Sequence, residues 1–84
     1  MLEHTHLFDA EEIEDALIRK TLEEVYFSLE EKGYNALNQI VGYLVSGDPG
    51  YISSHKNARA KISENDRSKI LIMILKGYLK LWNI

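Results

Sequence analysis

Four basic residues in one stretch of the chain could hold an anion: His55, Lys56, Arg59 and Arg67. His55 and Arg59 stand four residues apart, the spacing that puts two side chains on one helix face. Arg67 joins them if the next helix folds back. Such a group holds a phosphate or an acidic partner surface through charge-assisted hydrogen bonds. The same residues serve equally as a solvated basic face that pairs with the chain's many glutamates. Thr5 lies in the lead before the first expected helix, where a kinase cleft can thread an extended segment. By residue type alone it is an ordinary tail residue. Thr21, the only other threonine, is expected mid-helix, where a kinase cannot reach its backbone without unfolding it.

An enzyme is hard to build from these residues. The chain has no cysteine, which excludes thiol nucleophiles, disulfides and thiolate metal sites. No serine has a histidine and an acid in a recognisable context. His4 and His6 are far from His55 in sequence, so no tight zinc site is expected. Gly47-Asp48-Pro49-Gly50 lacks the glycine spacing and the Lys-Ser/Thr of a phosphate loop. The run from Glu11 to Asp15 lacks calcium-loop spacing and reads as a capped, solvated helix start. The expectation is no catalysis, no cofactor and no metal.

Helix punctuation is clear. Asp9 with Glu12 three positions on forms a capping box, and acids crowd the next turn where the helix dipole favours them. Ile18, Leu22, Val25, Tyr26 and Leu29 repeat at spacings of three and four, with Ile13 and Leu17 before them. Lys32-Gly33 ends that helix. Asn35 caps a second helix carrying Leu37, Ile40, Val41, Leu44 and Val45, which stops at Ser46-Gly47. Asp48-Pro49 is a cap followed by proline at the first helical position, and Gly50 keeps that turn short. Ser53 or Ser54 caps a fourth element through Ala58, Ala60 and Ile62. Asn65 or Asp66 caps the last helix. The fold class is therefore all-α, a compact bundle of about five short helices. Residues 1–8 form a flexible N-terminal segment, and residues 9–84 one helical domain.

Eighty-four residues allow one domain with a modest core. The last helix is apolar nearly all round, with Ile70, Ile74, Leu75 and Tyr78 among its large side chains. A helix of that kind is covered on more than one side, and a chain this short has little to cover it with. A homodimer through this helix is expected; the alternative is the central core helix of a monomer. Net charge is −3, which argues against a general nucleic-acid binder. No basic n-region or apolar run opens the chain, and Ile70–Leu75 is too short to span a bilayer, so a cytoplasmic protein without membrane insertion is expected.

The central block reads Leu29-Glu30-Glu31-Lys32-Gly33-Tyr34-Asn35, then Asn38-Gln39-Ile40-Val41-Gly42-Tyr43, then Ser46-Gly47-Asp48-Pro49 and Tyr51-Ile52, with His55-Lys56-Asn57-Ala58-Arg59 after it. This closely resembles the IreB family of bacterial regulatory phosphoproteins, almost unbroken over the middle third and more loosely to both ends. The resemblance implies a small helical homodimer that is a substrate of a membrane Ser/Thr kinase with PASTA repeats. It implies phosphorylation on an N-terminal threonine, which matches Thr5. It further implies negative regulation in envelope stress and cephalosporin tolerance. In relatives, the unphosphorylated form promotes proteolytic turnover of the enolpyruvyl transferase that begins peptidoglycan synthesis. The implied partners are thus a second copy, the kinase, and a cell-wall precursor enzyme or its protease machinery.

Several positions depart from the family pattern. Ala36 replaces a usual proline, and alanine suits a first helical turn. Ser54 and Ser63 stand where relatives often carry arginine, and Ile72 and Met73 where they usually carry two acids. A reading from another class is a small helix-turn-helix DNA-binding domain, since residues 55–69 are locally basic. The net acidity and the lack of an arginine- and lysine-rich recognition helix speak against it.

Overall fold

A computed structural model describes residues 9–81. Four α-helices run in the order α1 (Ala10–Glu31), α2 (Ala36–Ser46), α3 (Ala58–Ser63) and α4 (Arg67–Leu81), and no strand occurs among the described residues. Two single 3₁₀ turns, Pro49–Tyr51 and His55–Asn57, lie between α2 and α3. The all-α class holds. The expected five helices become four and two turns, and α1, at 22 residues, is not short.

Each cap has a chemical cause. Asp9 Oδ1 accepts from Glu12 N–H at 2.8 Å, and Glu12 Oε1 accepts from Asp9 N–H at 3.3 Å. Gly33, at φ 86°, ends α1 in the left-handed region that glycine occupies without a Cβ penalty. Asn35 Oδ1 accepts from Asn38 N–H and opens α2. Asp48 Oδ1 accepts from Gly50 N–H at 2.8 Å and sets the Pro49 turn. Asp66 Oδ1 accepts from both the backbone N–H and the hydroxyl of Ser68, at the start of α4.

One boundary differs from expectation. Ser54 stands at the N-cap of the His55–Asn57 turn without a side-chain cap bond, and neither serine starts an α-helix. Lys56 and Asn57 both take positive φ, 50° and 65°, and α3 begins only at Ala58. Ser53 Oγ instead accepts from His55 N–H, and Ser53 N–H donates to Gln39 Oε1 of α2 at 3.0 Å. His55 and Arg59 therefore do not share a helix face, because the left-handed pair breaks the chain between them.

The core joins all four helices through side chains that are almost wholly enclosed. Val25 and Leu29 come from α1, Ile52 from the connection, Ala58 and Ile62 from α3, and Ile70 from α4. Ile40, Tyr43 and Leu44 add the inner face of α2. Each large aliphatic chain buried this way stabilises the fold by about 1.5–3 kcal/mol. The Tyr51 ring lies against Gly42 of α2, so close that an added Cβ would stand 2.4 Å from its Cδ1. That contact draws the first 3₁₀ turn onto α2 and carries Ile52 inward.

Candidate functional site

Thr5 lies outside the described residues. The four basic residues are all placed, and they form two pairs with different work. His55 and Lys56 converge on Glu31 at the end of α1. Lys56 Nζ is 2.8 Å from Glu31 Oε1, and His55 Nε2 is 3.5 Å from the same oxygen. The His55 Nε2 atom is buried and has no hydrogen-bond partner. Arg59 and Arg67 act on backbone. Arg59 Nε donates to Ile52 O at 2.7 Å, tying α3 to the connection before it. Arg67 Nη1 donates to Leu44 O at 2.9 Å, at the carboxyl end of α2. The Arg67 guanidinium also rests against Gly47, where a Cβ would come within 2.8 Å of Cζ.

The α4 residues separate as well. Ile70 is in the core, while Ile74, Leu75 and Tyr78 are exposed. Met73 is the other buried α4 residue, and Ile72 faces out. Exposed apolar side chains also stand on α1 (Phe27) and α2 (Leu37, Val41, Val45). Phe27 is 65% exposed, and its ring meets Tyr26 edge-on with centroids 5.3 Å apart. Leu22, Tyr26, Phe27, Leu37, Val41 and Ile74 line an open apolar groove where α1, α2 and α4 meet. Monomeric proteins seldom leave several large apolar side chains together on a surface, and such patches mark interaction sites.

A family model described as IreB regulatory phosphoprotein matches residues 3–80. The chain belongs to the IreB family. Membership in this family of regulatory phosphoproteins gives it a regulatory role. The matched span takes in Thr5, the whole described body up to Lys80, and every residue of the apolar groove.

Two of the departures from the IreB pattern have a structural reading. Met73, in place of an acid, enters the core cluster beside α1. Ser63 Oγ donates to Arg59 O one turn back, so its hydroxyl turns onto its own helix. Nothing in the structure explains Ser54 or Ile72, which are both exposed.

Phe27 had a sequence signal that is easily missed. It falls out of phase with the buried stripe of Ile18, Val25 and Leu29, and an apolar residue out of phase faces solvent or a partner. Ile13 and Leu17 extend the apparent stripe in sequence but are exposed. The carbonyl targets of Arg59 and Arg67 have no sequence signal.

Surface ion pairs tie α4 to α1. Lys69 Nζ meets Glu14 at 2.8 Å, and Lys76 Nζ meets Glu11 at 2.7 Å and Asp15 at 2.6 Å. Hydrogen bonds donated to those acids hold both lysines above their ordinary 10.5. The Lys56 hydrogen bond holds Glu31 below its ordinary 4.5, and hydrogen bonds from Ser68 hold Asp66 below 3.8. The carboxylate contributions are complete above 4.5 and 3.8 and are lost as pH falls through the lower native values. The lysine contributions are complete below 10.5 and are lost as pH rises through the higher native values. Stability should thus hold level between these limits and fall on both sides. All four groups are solvent-exposed, so the changes are small and salt screens them. Urea midpoints across pH, at low and high salt, check this: high salt should flatten both shoulders.

Proposed function

We propose that this chain is a non-enzymatic, cytoplasmic switch: a homodimer phosphorylated on Thr5 by a PASTA-type Ser/Thr kinase. Through protein–protein contacts it modulates peptidoglycan synthesis and tolerance to cell-wall antibiotics, by controlling turnover of the enolpyruvyl transferase. The observation that carries this reading is the family match over residues 3–80, which includes Thr5. The kinase, the pathway and the target come from the resemblance of the central block to the family. The exposed apolar side chains of α1, α2 and α4 support a working mode based on contacts rather than chemistry. A second copy is the proposed cover for α4 at Leu75 and Tyr78. Lys56, with His55 beside it, is a cation that an acidic partner would meet in competition with Glu31.

Intact-mass analysis of the protein from its native cells, with the site mapped, tests the switch. One phosphate on Thr5, absent in Thr5→Ala, is the expected result. Phosphate on Thr21 or on serines with Thr5 bare would sink the assignment. Light scattering tests the dimer. The expected mass is twice the 9.7 kDa chain, and Leu75→Glu should return the protein to a single chain. A wild-type monomer at high concentration would remove the dimer.

A further inference from the structure

Lysine–carboxylate pairs join α1 and α4. Lys69 meets Glu14, and Lys76, two turns further along α4, meets both Glu11 and Asp15, which lie on either side of Glu14 in the chain. Lys80, one turn beyond Lys76, lines the same groove as Glu12 of the first turn of α1. Between the two helices lies an open groove of about 540 Å³ with Ala16 and Gly77 as its small residues. Its charged lining is Glu12, Asp15, Arg19, Lys76 and Lys80, three cations against two acids.

Two cations of this groove are available to an anion. Elsewhere Lys56, Lys61 and Lys69 sit on carboxylates, and Arg59 and Arg67 on carbonyls. Among the described residues, Arg19, Lys20, Lys32 and Lys80 have neither kind of partner, and of these Arg19 and Lys80 line this one groove. Lys76 is shared between two carboxylates and can release one of them. Thr5 precedes Asp9 by four residues, a reach of about 13 Å when extended. From Glu12 to Arg19 the groove runs about 10 Å along α1. A phosphate on Thr5 brings a charge of about −1.5 to −2. The acids of the first turn of α1, Glu11 and Glu12, repel it, so it is driven toward the α4 side, where Lys76 and Lys80 stand.

We propose that the phosphate of phosphorylated Thr5 docks in the α1–α4 groove of its own chain, held by Lys80 and Arg19, with Lys76 drawn from its carboxylates to complete the site. The proposal rests on the reading of Thr5 as the modified residue. Docking would change what the adjoining surface of α4 offers to a partner.

The test uses the full chain with phosphothreonine installed at position 5 by synthesis, so no kinase is needed. The phosphate is titrated by phosphorus NMR, in the folded chain, in the isolated phosphopeptide of residues 1–8, and in the phosphorylated Arg19→Ala/Lys80→Ala chain. Circular dichroism confirms that the variant is folded; both substituted side chains are exposed. Cations beside the phosphate favour its dianion, so the folded wild type should be about threefold more acidic than the peptide. The double variant should return to the peptide value. Equal titration in wild type and peptide, or a wild-type shift that survives the double substitution, overturns the site. A shift that vanishes on dilution places the phosphate on a second copy and overturns docking within the chain. A kinase reaction on the unmodified protein separates the two readings. Sparing of Thr5 there would defeat the modification, while the installed phosphate still reports on the groove.

Discussion

Ile62→Ala should destabilise the protein by about 3–4 kcal/mol, the range for truncating a fully enclosed aliphatic chain that cannot be refilled. Ile62 is fully buried, and α3 is only six residues long. Besides Ala58, Ile62 is the only side chain that α3 places in the core. An isolated helix of that length has no stability of its own in water, so its packing on α1 holds it. Small domains have about 0.05–0.15 kcal/mol of stability per residue. The loss is therefore a large fraction of what this chain possesses. Chemical denaturation followed by circular dichroism should show a clearly lower midpoint with little change in slope. A change under about 1 kcal/mol would mean that neighbouring side chains collapse into the space.

Ile62 also shows how much of the fold was legible in the sequence. Its burial followed from apolar spacing, and so did the burial of Val25, Leu29, Ile40, Leu44 and Ile70. The capped starts at Asp9, Asn35 and Asp66 followed from local chemistry, because each cap bonds a backbone group two or three residues away. The start of α3 did not. Lys56 and Asn57 sit in the left-handed region between the Lys56–Glu31 pair and the Arg59–Ile52 hydrogen bond, and both of those are tertiary. Short-range rules that favour a serine cap have no access to such contacts. The basic cluster was legible as four residues but not as two pairs. Arginine is expected on carboxylates or phosphates, yet Arg59 and Arg67 donate to main-chain carbonyls, which every residue carries and no motif marks. The groove between α1 and α4 was not legible at all, since Arg19 and Lys80 are 61 positions apart in the chain.

Gly47→Ala should cost about 2.5–5 kcal/mol, from two sources that act at one atom. The first is backbone strain. Gly47 ends α2 at φ 79°, where a side chain is disfavoured by about 1–2 kcal/mol. The second is Arg67. The new methyl would fall 2.8 Å from Cζ and Nη2, too near for the guanidinium to stay. Its hydrogen bond to Leu44 O would go, and a charged hydrogen bond is worth about 1.5–3 kcal/mol. That bond matters to α2 because its last turn has no basic residue of its own. Arg67 supplies the missing cation at the negative end of the α2 dipole. It does so from the first turn of α4, where a cation is unfavourable and the Asp66 carboxylate offsets it. A double-mutant cycle tests the coupling. Gly47→Ala with Arg67→Ala should cost less than the sum of the two single changes. Strict additivity would show that the guanidinium moves aside freely. Arg67→Lys should recover only part of the loss, since an ammonium cannot lie flat against Gly47 while reaching the carbonyl.

The hold of α4 on the rest of the chain has a temporal consequence. Within one protomer α4 commits Ile70 and Met73 to the core and ties its first turn to α2 through Arg67, and the rest of it is fastened to α1 by lysine–carboxylate pairs at the surface. Helices α1 and α3, by contrast, share the most enclosed side chains. Amide hydrogens of α4 should therefore exchange through a local opening that leaves α1–α3 intact. Raising the ionic strength should speed that exchange, while amides around Leu29 and Ile62 wait for global unfolding. The C-terminal helix is in this sense a separate clock within an 84-residue chain, set by whatever weakens or covers its outer face.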